Sequence, residues 1–331
     1  MIFLEPKDAP FRSERWHFSP PIPKLKAPLT HQEPFVKPYR MKILLTGASG
    51  FIGRRLATAL ELAGHQVIPV SRSHGIDFCR MQTPSDWLPH LDGIDAVINA
   101  VGIIGESGTQ RFDALHRLAP LALFQACARL GIRRVLQISA LGADESAFSA
   151  YHLSKRAADD GLRSLDLDWF VLRPSLIYGR SGKSAALFMR LAACPLIAVI
   201  GDGQQKLQPV HISDVVATVL KSLTSTKTRQ TIDIVGNETV TFTEWLQTMR
   251  LAQGLARASV LRIPFPLALA GAFLGRYVNP ILQPENLRML QSGYWADVGP
   301  LVQFLGRQPL AVASSLFFSD TAPNTPTGGA A

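Results

Sequence analysis

Cysteine is scarce in this chain. Cys79, Cys127 and Cys194 lie far apart, show no metal-ligand spacing and are odd in number. That argues against a disulfide framework and a cysteine-built metal site, and fits buried apolar thiols in a reducing cytosol. Long apolar runs are missing too. No stretch reaches the roughly 18 residues that a membrane span needs. The nearest, Ile263 to Leu274, is too short and holds two prolines. It is expected to be a buried helix, with a pocket wall or a membrane-surface element as the other readings. Charged residues are only 18% of the chain, and 47% is hydrophobic. A disordered body is excluded by that balance, and one large α/β domain or two unequal lobes can bury a core. The net charge of +9 admits nucleic acid, anionic lipid or an anionic cofactor as partner. No basic run is interleaved with aromatic residues, so nucleic-acid binding is not expected.

Eight of the 23 prolines fall in residues 1–40, which show no periodicity and no apolar leader segment. This part is expected to be a disordered extension, with Met41 as the start of the fold and a candidate start of translation. The end, from Ser319, is rich in Thr, Pro, Gly and Ala, and residues 312–331 are assigned to a flexible tail. In between, strands and helices alternate. Strands are expected at Lys42–Thr46, Gln66–Ser71, Asp95–Ala100, Arg134–Ser139 and Trp169–Arg173. Helices are expected at Ile52–Leu62, Ser85–Leu91, Phe112–Leu130 and Ala150–Leu165. This rhythm predicts a doubly wound parallel α/β sheet over residues 41–180. Beyond Gly179 the rhythm loosens. Helices at Ala185–Leu191, Asp214–Leu223, Phe242–Ala252 and Glu285–Gln291, with strands at Gln208–His211 and Thr231–Val235, predict a smaller mixed lobe over 181–311, interleaved with the first and walling a substrate cleft.

The first strand runs into Thr46-Gly47-Ala48-Ser49-Gly50-Phe51-Ile52-Gly53, and a helix follows. Gly47 permits a tight turn, Gly50 lets backbone approach a ligand, and Gly53 lets helix and strand pack closely. The free N–H groups and positive dipole end of the helix then face an anion. In this strand-to-helix setting the loop reads as a Rossmann-type site for a dinucleotide pyrophosphate, with Ser49, Phe51 and Ile52 in the cradle. The second strand ends in Ser71-Arg72-Ser73-His74, where an acidic residue would grip a ribose 2′-hydroxyl. Arg72 suits a 2′-phosphate instead, so NADP(H) is preferred and NAD(H) stays open. Arg54 can assist.

The spacing G-x-x-G-x-x-G, with the segments that follow, resembles the short-chain dehydrogenase/reductase superfamily in its extended or atypical branch. The resemblance covers Met41 to about Leu310. It implies that Asp77 contacts the adenine, with a cap or turn role as the alternative. It implies that Ala100 and Gly102, in Val97-Ile98-Asn99-Ala100-Val101-Gly102, pass under the adenosine ribose. Pro174 and Ile177, in Pro174-Ser175-Leu176-Ile177-Tyr178-Gly179, match the turn against the nicotinamide, and Arg173 is expected to be a structural pairing residue.

Ser139 ends the fourth strand, and Tyr151 and Lys155 follow in Tyr151-His152-Leu153-Ser154-Lys155. Positions i and i+4 share a helix face, so phenol and ammonium point the same way. A nearby ammonium lowers the phenol pKa, and Tyr151 is then expected to exchange a proton with a substrate oxygen during hydride transfer. Lys155 would also bond the nicotinamide ribose, and Ser139 would clamp the substrate oxygen. The resemblance places a relay asparagine on the central helix. His116 stands there, either as a relay or as a surface side chain.

The segment Ile200-Gly201-Asp202-Gly203-Gln204-Gln205-Lys206-Leu207-Gln208-Pro209-Val210-His211-Ile212-Ser213-Asp214 resembles the branch containing the accessory NAD(P)H-binding subunit of respiratory complex I and its bacterial relatives. Ser213 or Asp214 is expected to cap the next helix, and Gln208 and His211 to join the lobes or reach the cleft. Three functions follow. The first is an NADP(H)-dependent oxidoreductase acting on a small or hydrophobic carbonyl or hydroxyl compound. The second is a nucleotide-binding accessory protein of a membrane complex, cytoplasmic or peripheral to the inner membrane. The third is a nucleotide-sugar epimerase or dehydratase, against which Arg72 counts.

Overall fold

The computed structural model describes residues 40–180, 182–275 and 283–318. The expected extension, apart from Arg40, and the tail from Ser319 lie outside these residues; residues 312–318, also assigned to the flexible tail, are described, with Leu316 and Phe317 buried in a short 3-10 turn. Twelve strands are described: β1 Lys42–Thr46, β2 Gln66–Val70, β3 Ala96–Asn99, β4 Arg134–Ile138, β5 Asp168–Pro174, β6 Ile177–Tyr178, β7 Leu196–Ile200, β8 Lys206–Leu207, β9 Val210–His211, β10 Gln230–Ile234, β11 Val240–Thr241 and β12 Ser259–Ile263. The α-helices are α1 Phe51–Leu62, α2 Pro84–Trp87, α3 Ala119–Leu130, α4 Ala150–Arg163, α5 Lys183–Ala193, α6 Ile212–Thr224, α7 Phe242–Ala252, α8 Phe265–Gly275, α9 Pro284–Ser292 and α10 Gly299–Leu305. A π-helical stretch, Asp113–Leu118, leads into α3.

Six strands form one parallel sheet in the order β10-β5-β4-β3-β1-β2. The strands are apolar on both faces because helices cover both. Alternation along each strand sorts its side chains. Leu44, Val97, Val135 and Val171 meet Trp87, Phe124, Ala158 and Leu162 of α2, α3 and α4. Ile43, Leu45, Ile98, Leu136 and Leu172 meet Leu56, Leu60, Val215, Val219 and Leu301 of α1, α6 and α10. The chain winds one way from β1 to β2 and the other way from β3 onward. The crevice at this reversal, above the C-terminal ends of β1 and β3, is where such sheets bind ligands.

The later part of the chain builds a third apolar cluster around Tyr178, Phe242, Trp245 and Phe317. It returns β10 to the main sheet, where Asp233 pairs with Arg173 of β5 through two hydrogen bonds of 2.6 and 2.9 Å. Arg173 is thus the pairing residue that was expected. Gln208 ties this part together. Its amide donates to the Gly236 carbonyl at 2.9 Å and accepts from the Ala296 N–H at 2.9 Å. The cap of α6 is neither Ser213 nor Asp214 but His211, whose ring accepts from the Ser213 N–H. Asp214 is drawn away by Arg307 at 2.7 Å and by the Leu310 N–H at 2.9 Å.

The run Ile263 to Leu274 departs from its expectation of a buried helix. Ile263 closes β12, and Pro264 separates it from α8. Only Ala272 of α8 is buried among its described side chains, while Leu267 is 64% exposed. Apolar content set the expectation, but the sheet faces were already filled by α1, α3, α4 and α6.

Candidate active site

At the end of β1 the backbone turns at Gly47, with φ +69° and its N–H bonded to the Val70 carbonyl at 2.8 Å. A Cβ at Gly47 would lie 2.6 Å from the Ala100 carbonyl oxygen, and one at Gly53 would lie 2.1 Å from the Gly47 carbonyl oxygen. Side chains are therefore excluded at both positions, and the loop lies flat against the end of β3. Gly50 is the N-cap of α1 with no side-chain cap. The first-turn N–H groups of Phe51, Ile52 and Gly53 have no acceptor within the helix and open toward the crevice. Arg54 donates to the Ser49 carbonyl, which fixes the loop rather than reaching a ligand. This bare-backbone cradle at a helix start fits a dinucleotide pyrophosphate.

Arg72 is exposed after β2 and faces the Gln110 amide oxygen. Asp77 caps the following turn by accepting from the Cys79 N–H at 3.1 Å, the cap role left open above. Ala100 and Gly102 follow β3. A Cβ at Gly102 would lie 3.2 Å from Lys155 Nζ. Pro174 is buried at the end of β5, and its carbonyl accepts from the Leu141 N–H at 2.9 Å. Ile177 is half-buried and packs on the core beside α6.

Helix α4 begins at Ser149, whose hydroxyl accepts from the His152 N–H. Tyr151, Lys155 and Asp159 lie four residues apart, so they form one stripe. The Lys155 ammonium donates to the Ile138 carbonyl at 2.9 Å and the Val101 carbonyl at 3.1 Å, bridging the ends of β4 and β3. Burial pulls its pKa below the usual lysine value, against the opposing pull of Asp159. Asp159 is fully buried, and burial pushes its carboxyl above the ordinary range. No hydrogen bond joins Ser139 to Tyr151. The serine hydroxyl donates to Asp159, two helical turns beyond the phenol.

Tyr151 also differs from expectation. Its pKa is pushed up to about 12, first by burial and then by Asp159. The Lys155 ammonium is directed at two backbone carbonyls rather than at the phenol. The Tyr151 hydroxyl makes no hydrogen bond to another described residue. Its ring lies edge-on to Phe112, His116 and His152 at 6.0, 5.5 and 5.0 Å.

His116 is neither on the surface nor free to relay. It is fully buried, its Nε2 accepts from the Ile103 N–H at 3.0 Å, and its Nδ1 pairs with Ser154 Oγ at 3.0 Å. Burial holds its pKa well below the usual value, so the ring is neutral and anchors the loop after β3 to α4.

Tyr294 was not anticipated. Its ring lies 5.1 Å from that of His152, and its hydroxyl is 3.4 Å from His152 Nδ1. Burial and the nearby Tyr151 raise its pKa. Gly142, at φ +89°, leaves room for this ring, since a Cβ there would sit 2.6 Å from Tyr294 Cε1. Two phenols, from distant parts of the sequence, thus border one site.

A model of the family described as "NAD dependent epimerase/dehydratase family" matches residues 43–235. Over 247 residues the chain is 26% identical to ceramide reductase of Caulobacter vibrioides, covering 70% of this chain and 77% of that protein. Over 261 residues it is 26% identical to NADH dehydrogenase [ubiquinone] 1 alpha subcomplex subunit 9, mitochondrial, of Arabidopsis thaliana, covering 67% of this chain and 64% of that one. Among solved structures, MoeE5 in complex with UDP-glucuronic acid and NAD superposes with a TM-score of 0.63 at 21% identity, over 83% of this chain and 96% of the other. That likeness is one of fold.

Proposed function

Because the chain belongs to the NAD dependent epimerase/dehydratase family, we propose that it is an NAD(P)H-dependent oxidoreductase that reduces a carbonyl group on a hydrophobic substrate, with Tyr151 as general acid. The carrying observation is the Tyr151 phenol, unengaged by any described residue and held at about pKa 12 on the Lys155 stripe of α4. A phenol that keeps its proton through neutral pH enters the reaction as the proton donor of a reduction. Tyr151 gives this proton to the substrate oxygen as negative charge develops there. Tyr294, also held protonated, is the second donor to that oxygen, in the place expected of Ser139. Lys155 keeps the ends of β3 and β4 in register and faces the nicotinamide ribose.

Nicotinamide, when bound, supplies the hydride. Gly47, Ser49, Gly50, Phe51, Ile52 and Gly53 would hold its pyrophosphate. Asp77, Ala100 and Gly102 would border the adenosine, and Pro174 and Ile177 the nicotinamide. The exposed guanidinium of Arg72 supports NADP(H) over NAD(H). The likeness to ceramide reductase supports an apolar substrate.

The test is NADPH oxidation with a panel of alkyl ketones. Tyr151→Phe is expected to lower kcat by about 10²–10⁴ and leave NADPH affinity within about twofold. Undiminished turnover would remove Tyr151 from the mechanism. A second reading, a nucleotide-binding accessory protein of a membrane complex, draws on the likeness to the complex I subunit and on the commitment of Lys155 to backbone carbonyls. Nucleotide that survives desalting, with no carbonyl turnover, would favour it.

A further inference from the structure

The strands β7 and β12 pair in parallel as a two-stranded ribbon, with Leu196 opposite Ser259 and Ala198 opposite Leu261. One face of the ribbon turns Ile197 and Val199 into the core. The other face, by alternation, carries Leu196, Ala198, Ile200, Ser259, Leu261 and Ile263. An outward sheet face is ordinarily polar. Here it is apolar, and Leu196 and Leu261 are 47% and 48% exposed.

The chain passes from this ribbon through Pro264 directly into α8. The sequence of α8, FPLALAGAFLG, holds no polar side chain on any face. Leu267 is 64% exposed, and Pro266, Ala270 and Gly271 are exposed beside it. Helix and ribbon follow one another in the chain, and together they expose more apolar side chains than the scattered single residues that any protein shows.

Charge decides what covers it. Between Glu244 and Glu285 the sequence contains four arginines and no Asp or Glu. Arg257, just before β12, is exposed; Arg262 is exposed too but pairs with Val199, on the other face of the ribbon. A protein partner is recognised through a polar rim and about one hydrogen bond per 100–200 Å². The apolar helix offers no side chain for that purpose. A fluid hydrocarbon boundary asks for none, and its anionic headgroups match the exposed Arg257 beside it. At 11 residues α8 is about 16 Å long, so it can lie in the interface but not cross it.

We propose that α8 and the outer face of the β7/β12 ribbon form a docking surface for a bilayer containing anionic phospholipid, with Leu267 and Leu261 entering the acyl boundary and Arg257 meeting the phosphates. This assignment is independent of the oxidoreductase reading.

Flotation of the full-length protein with phosphatidylcholine vesicles, with and without phosphatidylglycerol, tests it. The protein should float with the anionic vesicles and less with the neutral ones. Leu267→Glu should weaken partitioning by about tenfold or more. Arg257→Ala should weaken it about fivefold, on the anionic vesicles only, whereas Arg262→Ala, on the opposite ribbon face, should leave it unchanged. All three side chains are exposed, so the melting temperature should stay unchanged. If Leu267→Glu lowers it, Leu261→Glu on the ribbon serves as the second variant. The proposal fails if the wild type floats with neither vesicle, or if a correctly folded Glu variant floats as well as the wild type. It also fails if vesicle binding is absent and sedimentation instead finds a dimer that Leu267→Glu dissolves, because the cover is then a second copy.

Discussion

Ser139→Ala separates two roles for one hydroxyl. A serine that clamps the substrate oxygen is worth about 10²–10³ in kcat, as oxyanion donors are. In the structure the Ser139 hydroxyl instead donates to Asp159, a carboxyl with no exposed surface. The other carboxyl oxygen of Asp159 already lacks a hydrogen-bond partner among the described residues. Removing the serine hydroxyl would leave both oxygens unsatisfied, at a cost of about 1–3 kcal/mol. In a domain of this size that corresponds to a fall in melting temperature of about 2–6 °C. We therefore expect Ser139→Ala to melt earlier and to keep kcat within about threefold of wild type. Calorimetry and steady-state NADPH oxidation on the same preparation read both quantities. A hundredfold loss of kcat with an unchanged melting temperature would refute the assignment and return Ser139 to the substrate. Asp159→Asn is the companion variant. It keeps an acceptor for Ser139 but removes the charge that helps to raise Tyr151, so the alkaline limb of the reduction rate should move to lower pH.

Three further outcomes are expected. Gly53→Ala places a Cβ 2.1 Å from the Gly47 carbonyl oxygen, so the loop must shift. Nucleotide affinity, read by titration calorimetry, should fall at least about tenfold, and unchanged affinity would place the pyrophosphate elsewhere. Arg72→Ala should weaken NADPH by about ten- to a hundredfold while sparing NADH, and equal losses would remove the preference for the phosphorylated cofactor. His152 has its pKa lowered from 6.5 to about 4 by burial. The unfolded chain takes the proton near 6.5 and the folded chain only near 4, so the stability it supports is whole above 6.5 and is lost as pH falls through that interval. The loss amounts to about 3 kcal/mol. His116 acts in the same direction. Urea midpoints across this range should slope less in His152→Gln, and an equal slope would show that His152 is not the titrating group.

The central sheet was legible because its order follows from local signals. Apolar pentads, glycines at turns and helical periodicity place β1 to β5 and α1, α3 and α4 within a few residues of where they lie. The glycine loop was legible for a sharper reason: the contacts at Gly47 and Gly53 admit only hydrogen, so the residue type is dictated by space. The site was less so. Tyr151 and Lys155 share a helix face, which sequence spacing predicts, but where an ammonium points depends on which carbonyls lie nearby. Only the packing of β3 against β4 decides that. Ser139 turned away because strand alternation aimed it at α4, where Asp159 waits 20 residues along. Tyr294 reaches the site through a contact spanning 142 residues, and no local pattern announces it. The run from Ile263 misled because apolar composition reports affinity for a nonaqueous neighbour without saying which one.

Lys155 closes two strand ends as well as facing the site. Its ammonium donates to the carbonyls of Ile138 and Val101, and so helps to satisfy backbone acceptors at the ends of two strands. A descendant of this chain that abandoned chemistry would still be under selection to keep that lysine. Tyr151 has no such second employment, since its hydroxyl bonds to none of the described residues. Drift after loss of turnover would therefore erase the tyrosine first and the lysine late or never. Among relatives of this protein, a retained lysine testifies only to an intact fold. On the proposed mechanism, the tyrosine is the residue whose survival records activity.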